Sequence, residues 1–329
     1  MKVTGNRRQV LLLAAIAMAA LLAVLGWQLY SRGKEEACRL IYIPKVQDEE
    51  NGFWTSLIAG ARMAAEDQNV ELKVKGPKSE DDVQAQIRLI RESMEENPDA
   101  ILVSPNHLTE LNEVLQEVAK RGIKLIFVDS VIELDVADAI VETDNFAAGN
   151  LLGKYVKELT TENSQIGVVG HVQGSSTAVE REEGMRAGLG EDAAKIREIQ
   201  YCDSSFEKAY EIANEMMDAY PELDILIGTN EYASVGAARA VKDRGVKDQV
   251  RVVGFDSSLE ETQLLEEGIF QAIVIQKPFN MGYLGVEQAV KAVKGEKTDK
   301  NLDSGCKLIT KANMYQAENQ KLLYPFIEK

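Results

Sequence analysis

The chain has 329 residues, a formal net charge of −16 and three cysteines. This length is enough for two domains with sizeable cores. Because acidic residues far outnumber basic ones and no basic stripe is present, nucleic acids and anionic lipid surfaces are excluded as partners. The expected ligand is therefore not a polyanion. The cysteines, Cys38, Cys202 and Cys306, lie too far apart for a C-x-x-C metal or redox motif, and we interpret them as structural thiols.

The first 37 residues differ in character from the rest. Three basic residues precede the uncharged, largely apolar run Val10 to Tyr30, whose 21 residues can cross the ~30 Å hydrocarbon layer of a membrane as a helix. A cleaved signal peptide is the alternative, since it has the same layout. Cys38 follows Glu35, Glu36 and Ala37, which makes it a poor site for lipid attachment. The length of the run favours an uncleaved signal anchor over residues 1–37, with the remainder outside the membrane.

Strand and helix patterns alternate with short connections after this segment. The first set comprises the strand Arg39 to Ile43, the helix Phe53 to Gln68, the strand Val70 to Lys75, the helix Asp81 to Asn97, the strand Ala100 to Val103, the helix Leu108 to Arg121 and the strand Lys124 to Val128. The second set comprises the helix Ala147 to Leu159, the strand Ile166 to Val169, a helix from a Thr177–Glu180 capping box to Leu189, the strand Ile196 to Gln200, the helix Phe206 to Tyr220, the strand Ile225 to Gly228, the helix Ala233 to Arg244 and a strand within Arg251 to Ser258.

Repeated βαβ units of this kind require parallel sheets that are covered on both faces. The similar runs DAILVSPN and DILIGTN occupy equivalent places in the two sets. We therefore expect an α/β fold with two similar, doubly wound parallel-sheet lobes, preceded by the N-terminal membrane or signal helix. No flexible linker separates the sets, so short crossovers should form a multi-strand hinge. The predicted lobes are residues 38–143 with 279–309, and residues 144–278 with 310–329.

Five predicted strands end in a carboxylate or an amide. These residues are Asn106, Asp129, Asn230, Asp256 and Gln276. Helix capping and turn formation explain any single one of them equally well. Together they favour a shared polar cleft, because open α/β sheets bind ligands at the carboxyl ends of their strands.

The polar segments match a known family. The runs NGFW, GSSTAVEREEGM, GTNEYASVGA, VVGFDSS and IVIQKP, with Asp129 and the pair Asp144–Asn145, follow one another in the family's order. They resemble the periplasmic sugar-binding proteins of the ribose-binding type, which have the type I periplasmic binding protein fold, serve ABC importers and are related to the ligand domains of lactose-repressor-like regulators. The resemblance covers residues 39–310. It implies a monosaccharide or related polyol held between the lobes, with no catalysis, cofactor or metal ion.

The resemblance also implies eleven ligand-binding residues, whose chemistry suits a neutral molecule rich in hydroxyl groups. Carboxylates accept hydroxyl hydrogen bonds, a guanidinium donates forked bonds, and amides do both. Aromatic rings stack on the C–H faces of the sugar. The implied residues are Asn51, Phe53, Trp54, Ser104, Asp129, Ser130, Arg181, Ser204, Asn230, Asp256 and Gln276.

Several positions depart from the family pattern. Ser130 stands where ribose-type receptors have an arginine, and Ser104 stands where they have an asparagine. The aromatic residue of the second lobe falls at Ser204 in a direct register, or at Phe206 after a two-residue slip. Arg181 lies among glutamates, so a surface ion pair is the alternative to ligand binding. These departures imply that the ligand need not be ribose.

We expect an extracytoplasmic sugar receptor, anchored at the membrane or secreted if the helix is cleaved, that delivers its ligand to an ABC importer. A sugar sensor that docks on a histidine kinase is the alternative, motivated by the unusual anchor. An enzyme is disfavoured, since no G-x-G-x-x-G follows the first strand and neither histidine lies in a nucleophile motif. His107 and His171 are interpreted as surface or rim residues. Asp144 and Asn145 are expected to shape the crossover and cap the next helix.

Overall fold

The computed structural model describes residues 38–324 and, in the first 37 residues, only Leu13, Ile16, Met18 and Leu22, all four helical. Residues 1–37 and 38–329 form separate compact units. The predicted signal anchor therefore lies almost entirely outside the described residues. No helix among those described is long and apolar enough to span a membrane.

Two six-stranded sheets organise the second unit. The strands, in chain order, are β1 (Arg39–Ile43), β2 (Glu71–Val74), β3 (Ala100–Val103), β4 (Lys124–Val128), β5 (Ala139–Glu142), β6 (Ile166–Gly170), β7 (Ile196–Tyr201), β8 (Ile225–Gly228), β9 (Arg251–Phe255), β10 (Phe270–Ile275), β11 (Asn301–Asp303) and β12 (Lys307–Thr310). The first sheet has the order β11-β5-β4-β3-β1-β2 and the second β12-β10-β9-β8-β6-β7. Only β12 runs antiparallel to its neighbour among these strands. The two-lobe α/β fold with parallel sheets is therefore confirmed.

Helices cover both faces of each sheet. They are α1 (Gly52–Asp67), α2 (Val83–Glu95), α3 (Asn112–Lys120), α4 (Asn145–Leu159), α5 (Ser176–Leu189), α6 (Phe206–Ala219), α7 (Glu231–Arg244), α8 (Leu259–Glu266), α9 (Pro278–Val293) and α10 (Ala317–Leu323). On the first sheet, α1 and α9 pack on one face while α2 and α3 pack on the other. On the second sheet, α4 and α5 oppose α6, α7 and α8.

This covering explains why the central strands are apolar throughout. In β1, Leu40 and Tyr42 join the core under α1, whereas Ile41 and Ile43 join the core under α2 and α3. Successive side chains of a strand point to opposite faces, so a strand buried on both faces loses the alternation of polar and apolar residues. The apolar runs in the sequence are thus a direct consequence of the layered fold.

The chain passes between the sheets three times within residues 38–324: from β5 to α4, from β10 to α9, and from β11 to β12. The last crossing differs from the predicted boundary after residue 309. Because β12 pairs with β10, Lys307 to Ile309 belong to the second sheet and the crossing falls before Lys307. Three short crossings thus connect the two sheets, and a hinge at these crossings stays a prediction.

The capping box predicted at Thr177 and Glu180 is wrong. The N-cap of helix α5 lies two residues earlier, at Ser175, whose side chain accepts the N–H of Ala178. The Thr177 hydroxyl instead bonds to the buried His171 at 2.9 Å. The Thr177 side chain, which the local pattern assigned to helix capping, therefore makes a tertiary contact with His171.

Helices α1 and α9 approach each other at glycines. A Cβ added to Gly60 would lie 1.9 Å from the carbonyl oxygen of Phe279, a backbone atom that has no rotamer through which to move away. We expect Gly60→Ala to lower the free energy of unfolding by about 1–3 kcal/mol, the usual cost of overpacking. Chemical denaturation measures this. Glu66→Ala, at an exposed position on the same helix, is the matched control and should change stability by less than about 0.5 kcal/mol.

Candidate ligand site

The site begins with two carboxylates at equivalent strand ends. Asp129 follows β4 and Asp256 follows β9, and their backbone N–H groups bond in the same way to Val141 of β5 and Val274 of β10, at 2.8 and 2.9 Å. Both aspartates have left-handed backbone angles, with φ of 73° and 78°. Such angles are uncommon outside glycine and concentrate at functional sites. The fold therefore holds both carboxylates in a strained position that aims them into the space between the lobes.

A cavity lies between the lobes at this point. Its lining consists of Lys45, Asn51, Phe53, Trp54, Glu80, Asp129, His171, Thr177, Arg181, Asn230, Glu231, Tyr232, Asp256 and Gln276. Eight of the eleven residues implied by the family resemblance are in this set. The cleft is closed: about 20 Å³ is open to the centres of water-sized spheres, room for about one water molecule. The lobes must separate to admit any larger ligand.

A buried ion pair occupies the first-lobe side of the cavity. Lys45, two residues after β1, places its Nζ 2.9 Å from Oδ2 of Asp129, and both side chains are 4% exposed. The ammonium also donates to the Thr177 hydroxyl of the second lobe at 3.2 Å. Ser130, which stands where the family resemblance implies an arginine, donates to the Pro105 carbonyl. The buried cation of this lobe is therefore Lys45, in the loop that follows β1.

Arg181 supplies the cation of the second lobe. Its Nε donates to Oδ1 of Asn145 at 2.9 Å and its Nη1 to the carbonyl of Thr229 at 2.7 Å. The guanidinium lies 4.5 Å from the ring centroid of Phe255. The side chain is buried in the cavity wall, so the alternative of a surface ion pair among the neighbouring glutamates is wrong. Asn145 orients this guanidinium from inside α4, while Asp144 caps α4 by accepting the N–H of Ala147.

Asp256 and Gln276 form an acceptor-rich corner. The Gln276 side-chain amide donates to Oδ1 of Asp256 at 2.6 Å, and the Glu231 N–H donates to Oδ2 at 2.9 Å. Burial raises the pKa of Asp256, and the nearby Arg181 opposes that rise. Oε1 of Gln276 is buried and has no hydrogen-bond partner among the described residues. A buried acceptor of this kind is costly to leave unpaired, so a hydroxyl donor of a ligand would stabilise it.

Two aromatic rings at the start of α1 complete the first-lobe wall. Phe53 and Trp54 pack edge to face, with ring centroids 5.0 Å apart. Asn51 sets the start of the helix because its Oδ1 accepts the N–H of Trp54 at 2.9 Å. The indole N–H of Trp54 donates to Oε1 of the buried Glu80 at 2.5 Å. The ring faces are thus held in place by capping and by a buried carboxyl.

The structure does not bring the three predicted serines to the cavity lining. Ser104 bonds to the Tyr42 hydroxyl at 2.8 Å, and Ser130 bonds to Pro105. Ser204 lies at the mouth of the cleft and donates to Oε2 of Glu80 at 2.7 Å. The alternative register also fails to supply an aromatic residue, since Phe206 packs on Tyr232 at the mouth.

Sequence reasoning missed six lining residues: Lys45, Glu80, His171, Thr177, Glu231 and Tyr232. The interpretation of His171 as a surface or rim residue is wrong. Its ring is buried between the hydroxyls of Thr229 and Thr177, at 2.8 and 2.9 Å. Burial lowers the pKa of His171 far below its usual range, and Arg181 and Lys45 lower it further. This histidine is therefore a neutral hydrogen-bonding group.

Cys38, Cys202 and Cys306, all within the described part of the chain, are free. Burial raises the pKa of Cys202 to about 12, which keeps it protonated and unreactive. Across residues 38–324 no cluster of carboxylate, histidine or cysteine side chains is arranged to hold a metal ion.

Comparison with known proteins identifies the family. A family model described as a periplasmic binding protein domain matches residues 41–297. The D-ribose/D-allose-binding protein of Pseudomonas aeruginosa is 25% identical over 92% of this chain and 96% of its own length. The ribose import binding protein of Escherichia coli is 24% identical over 79% of this chain and 87% of its own length.

Solved structures agree with these relatives. A sugar transporter from Clostridium phytofermentans is 44% identical, with a TM-score of 0.79, over 83% of this chain and 98% of that one. A carbohydrate transporter solute binding protein from Agrobacterium radiobacter, in complex with D-arabinose, is 26% identical, with a TM-score of 0.83, over 88% and 100%. These relatives are sugar-binding transport proteins, so the interpretation of the chain as a binding protein and not an enzyme is confirmed. The chain belongs to the periplasmic binding protein family, as its motifs indicate.

Proposed function

We propose that this protein is an extracytoplasmic receptor that binds a monosaccharide or related polyol between its lobes and delivers it to an ABC sugar importer. The closed polar cavity carries the proposal. It combines two strand-end carboxylates, a fixed guanidinium, an unpaired amide oxygen and two aromatic rings, the groups that a small molecule rich in hydroxyls requires. A relative named for ribose and allose and a solved structure in complex with D-arabinose support the same ligand class.

Residues of both lobes have proposed contacts with the ligand. Asp129 accepts from hydroxyls, and Phe53 and Trp54 contact the C–H faces of the ring. In the second lobe Arg181 donates to ring or hydroxyl oxygens, and Gln276 accepts through Oε1. The proposed contacts come from one compact set of side chains between the lobes, which favours one sugar ring over an oligosaccharide.

The charges in the cavity favour a neutral ligand. Lys45 and Arg181 face four carboxyl groups, on Glu80, Asp129, Glu231 and Asp256. Burial raises the pKa of Glu231 to about 8 and raises that of Glu80 as well, which indicates that negative charge is already disfavoured there. An anionic sugar acid would add a further negative charge to this space. We therefore expect aldonic and uronic acids not to bind.

Delivery to an importer is favoured over signalling through a histidine kinase. The relatives reported above are import or transport proteins, whereas the sensor alternative rested only on the N-terminal apolar run. That run carries a separate proposal, export to the outer face of the membrane with retention by the uncleaved helix. Copurification of a permease, and loss of sugar uptake when the gene is deleted, are the expected results for the importer role.

Titration with sugars tests the ligand class. In a fragment that begins at Cys38, which spans the second compact unit, Trp54 is the only tryptophan. We expect a saturable change in its emission with one neutral pentose, hexose, deoxy sugar or cyclic polyol, because the indole lines the cavity and closure changes its surroundings. Glucuronate and gluconate should give no change. Thermal shift with the same panel detects binding that Trp54 does not report.

If neither tryptophan emission nor thermal shift changed with any neutral sugar of the panel, the proposed ligand class would be wrong. Binding of a sugar acid instead would contradict the charge argument alone, since it would leave the cleft in place as the binding site.

A further inference from the structure

The closed lobes are joined by hydrogen bonds between protein groups alone. Each bond links a first-lobe residue to a second-lobe residue across the cleft. They join Glu231 to Gly52 and Phe53, Tyr232 to Asp48, Ser204 to Glu80, and Thr177 to Lys45. Closure therefore has contacts of its own, in addition to any that a ligand makes.

Glu231 makes two of these hydrogen bonds. It is the first residue of α7 in the second lobe, and its two carboxyl oxygens accept the N–H groups of Gly52 and Phe53 at 2.9 Å each. Those are the first amides of α1 in the first lobe, which have no partner within their own helix. A helix N-terminus also carries a partial positive charge that favours an acceptor at this place. Glu231 is 2% exposed, so the contact is shielded from water.

The surroundings of this contact connect it to the ligand groups of both lobes. The backbone N–H of Glu231 bonds to Asp256, and the preceding residue, Asn230, lines the cavity. On the other side, the amides that Glu231 holds belong to the turn that carries Phe53 and Trp54. Glu231 thus links the turn that carries Phe53 and Trp54 in the first lobe to Asp256 in the second.

We propose that Glu231 is an interlobe clamp, a positioning residue that holds the closed form and thereby sets how long the ligand stays bound. The inference rests on the proposed function, since it concerns closure around a ligand. Opening would leave the Gly52 and Phe53 amides without this partner and would return the Glu231 carboxyl to water. Loss of the clamp should therefore appear mainly as faster release.

The clamp also makes closure depend on pH. Asp48, Asp256 and Glu261 face the Glu231 carboxyl, and burial together with these acidic neighbours raises its pKa from the usual 4.5 to about 8. Two helix amides oppose that rise. In the open form the carboxyl is hydrated and its pKa returns toward the usual value, so closure takes up a proton. The contribution of Glu231 to affinity is complete below about pH 4.5 and is lost as the pH rises through 8.

The test uses the full-length chain in a non-ionic detergent, with the sugar identified by the titration above. Glu231→Ala should raise the Kd roughly tenfold to a hundredfold, because two buried amides lose their acceptor, and stopped-flow fluorescence should assign most of the change to release. Glu231→Gln keeps one acceptor oxygen but turns an NH2 donor toward the second amide, so its Kd at pH 7 should lie between those of the native chain and Glu231→Ala. Glu49→Gln, at the exposed mouth of the same cleft, is the matched control and should leave both quantities unchanged.

Calorimetry between pH 5 and pH 8.5, in buffers of different ionisation enthalpy, measures the proton. The native chain should take up protons on binding and bind more weakly as the pH rises. Glu231→Gln should take up fewer protons and show a flatter profile, whether or not the alanine variant folds.

An alanine variant that folds, and binds and releases sugar as the native chain does, would refute the clamp, and so would an unchanged pH profile for Glu231→Gln. Absence of binding by the native chain would count against the proposed function instead, so the two failures are distinguishable.

Discussion

Replacing Lys45 by methionine is expected to lower the free energy of unfolding by about 3–5 kcal/mol, the usual cost of removing one partner from a buried ion pair. The Lys45 ammonium is the charge partner of Asp129, and both side chains are buried at 2.9 Å from each other. Without it, Asp129 loses its ion-pair partner at a buried position, and its left-handed backbone keeps the side chain in the cavity wall. Chemical denaturation at pH 7 measures the loss.

Two further variants locate the cause of this loss. Lys45→Met combined with Asp129→Asn removes both charges and should recover a large part of the stability, since the amide tolerates the left-handed backbone. Lys73→Met, which removes an exposed lysine from its pairs with Glu71 and Glu96, should cost less than about 1 kcal/mol. If Lys45→Met proved no more destabilising than Lys73→Met, the buried pair would not be a determinant of stability.

The central strands were predictable from the sequence because burial on two faces leaves an unbroken apolar run. Strands β1, β3, β4 and β8 begin and end at the predicted residues. The strand β5 was missed, since its sequence AIVE is short, ends in a glutamate and alternates between buried and partly buried positions. The edge strand β11 was missed for a similar reason, because NLD is largely exposed and contains one apolar residue.

In the site, the strand-end rule held for four of its five residues, and it was wrong for Asn106, which does not line the cavity. Asp129, Asn230, Asp256 and Gln276 all line the cavity. The same rule would have found His171, which directly follows β6, and Lys45, which follows β1 after one proline, had it been applied to cations and imidazoles as well as to carboxylates and amides. Glu80 could not be found in this way, because it lies in a loop of charged residues and its partners, Trp54 and Ser204, are distant in the sequence.

The clamp residue shows a further limit of local pattern. Glu231 stands in the first turn of α7, where an acidic side chain is usually explained by its own helix dipole. The structure instead directs it to the N-terminus of α1 in the other lobe. No periodicity encodes a contact between segments 178 residues apart, so only the closed arrangement of the lobes reveals it.

Arg181→Lys is expected to raise the Kd for the sugar by roughly a hundredfold with little change in the fold, because each lost hydrogen bond to a charged donor is worth up to about 3 kcal/mol. The guanidinium bonds to Asn145 and Thr229 through two nitrogens, and this leaves the remaining nitrogen fixed in direction for the ligand. A lysine keeps the charge, but it cannot hold both anchors and present a third donor in the same plane. Calorimetry gives the Kd, and Arg186→Lys, on the exposed side of α5, is the matched control. If the variant bound the sugar with nearly native affinity, the cavity would need only the positive charge of Arg181 and not the several coplanar donors of its guanidinium. The proposed donation to ring and hydroxyl oxygens would then be wrong.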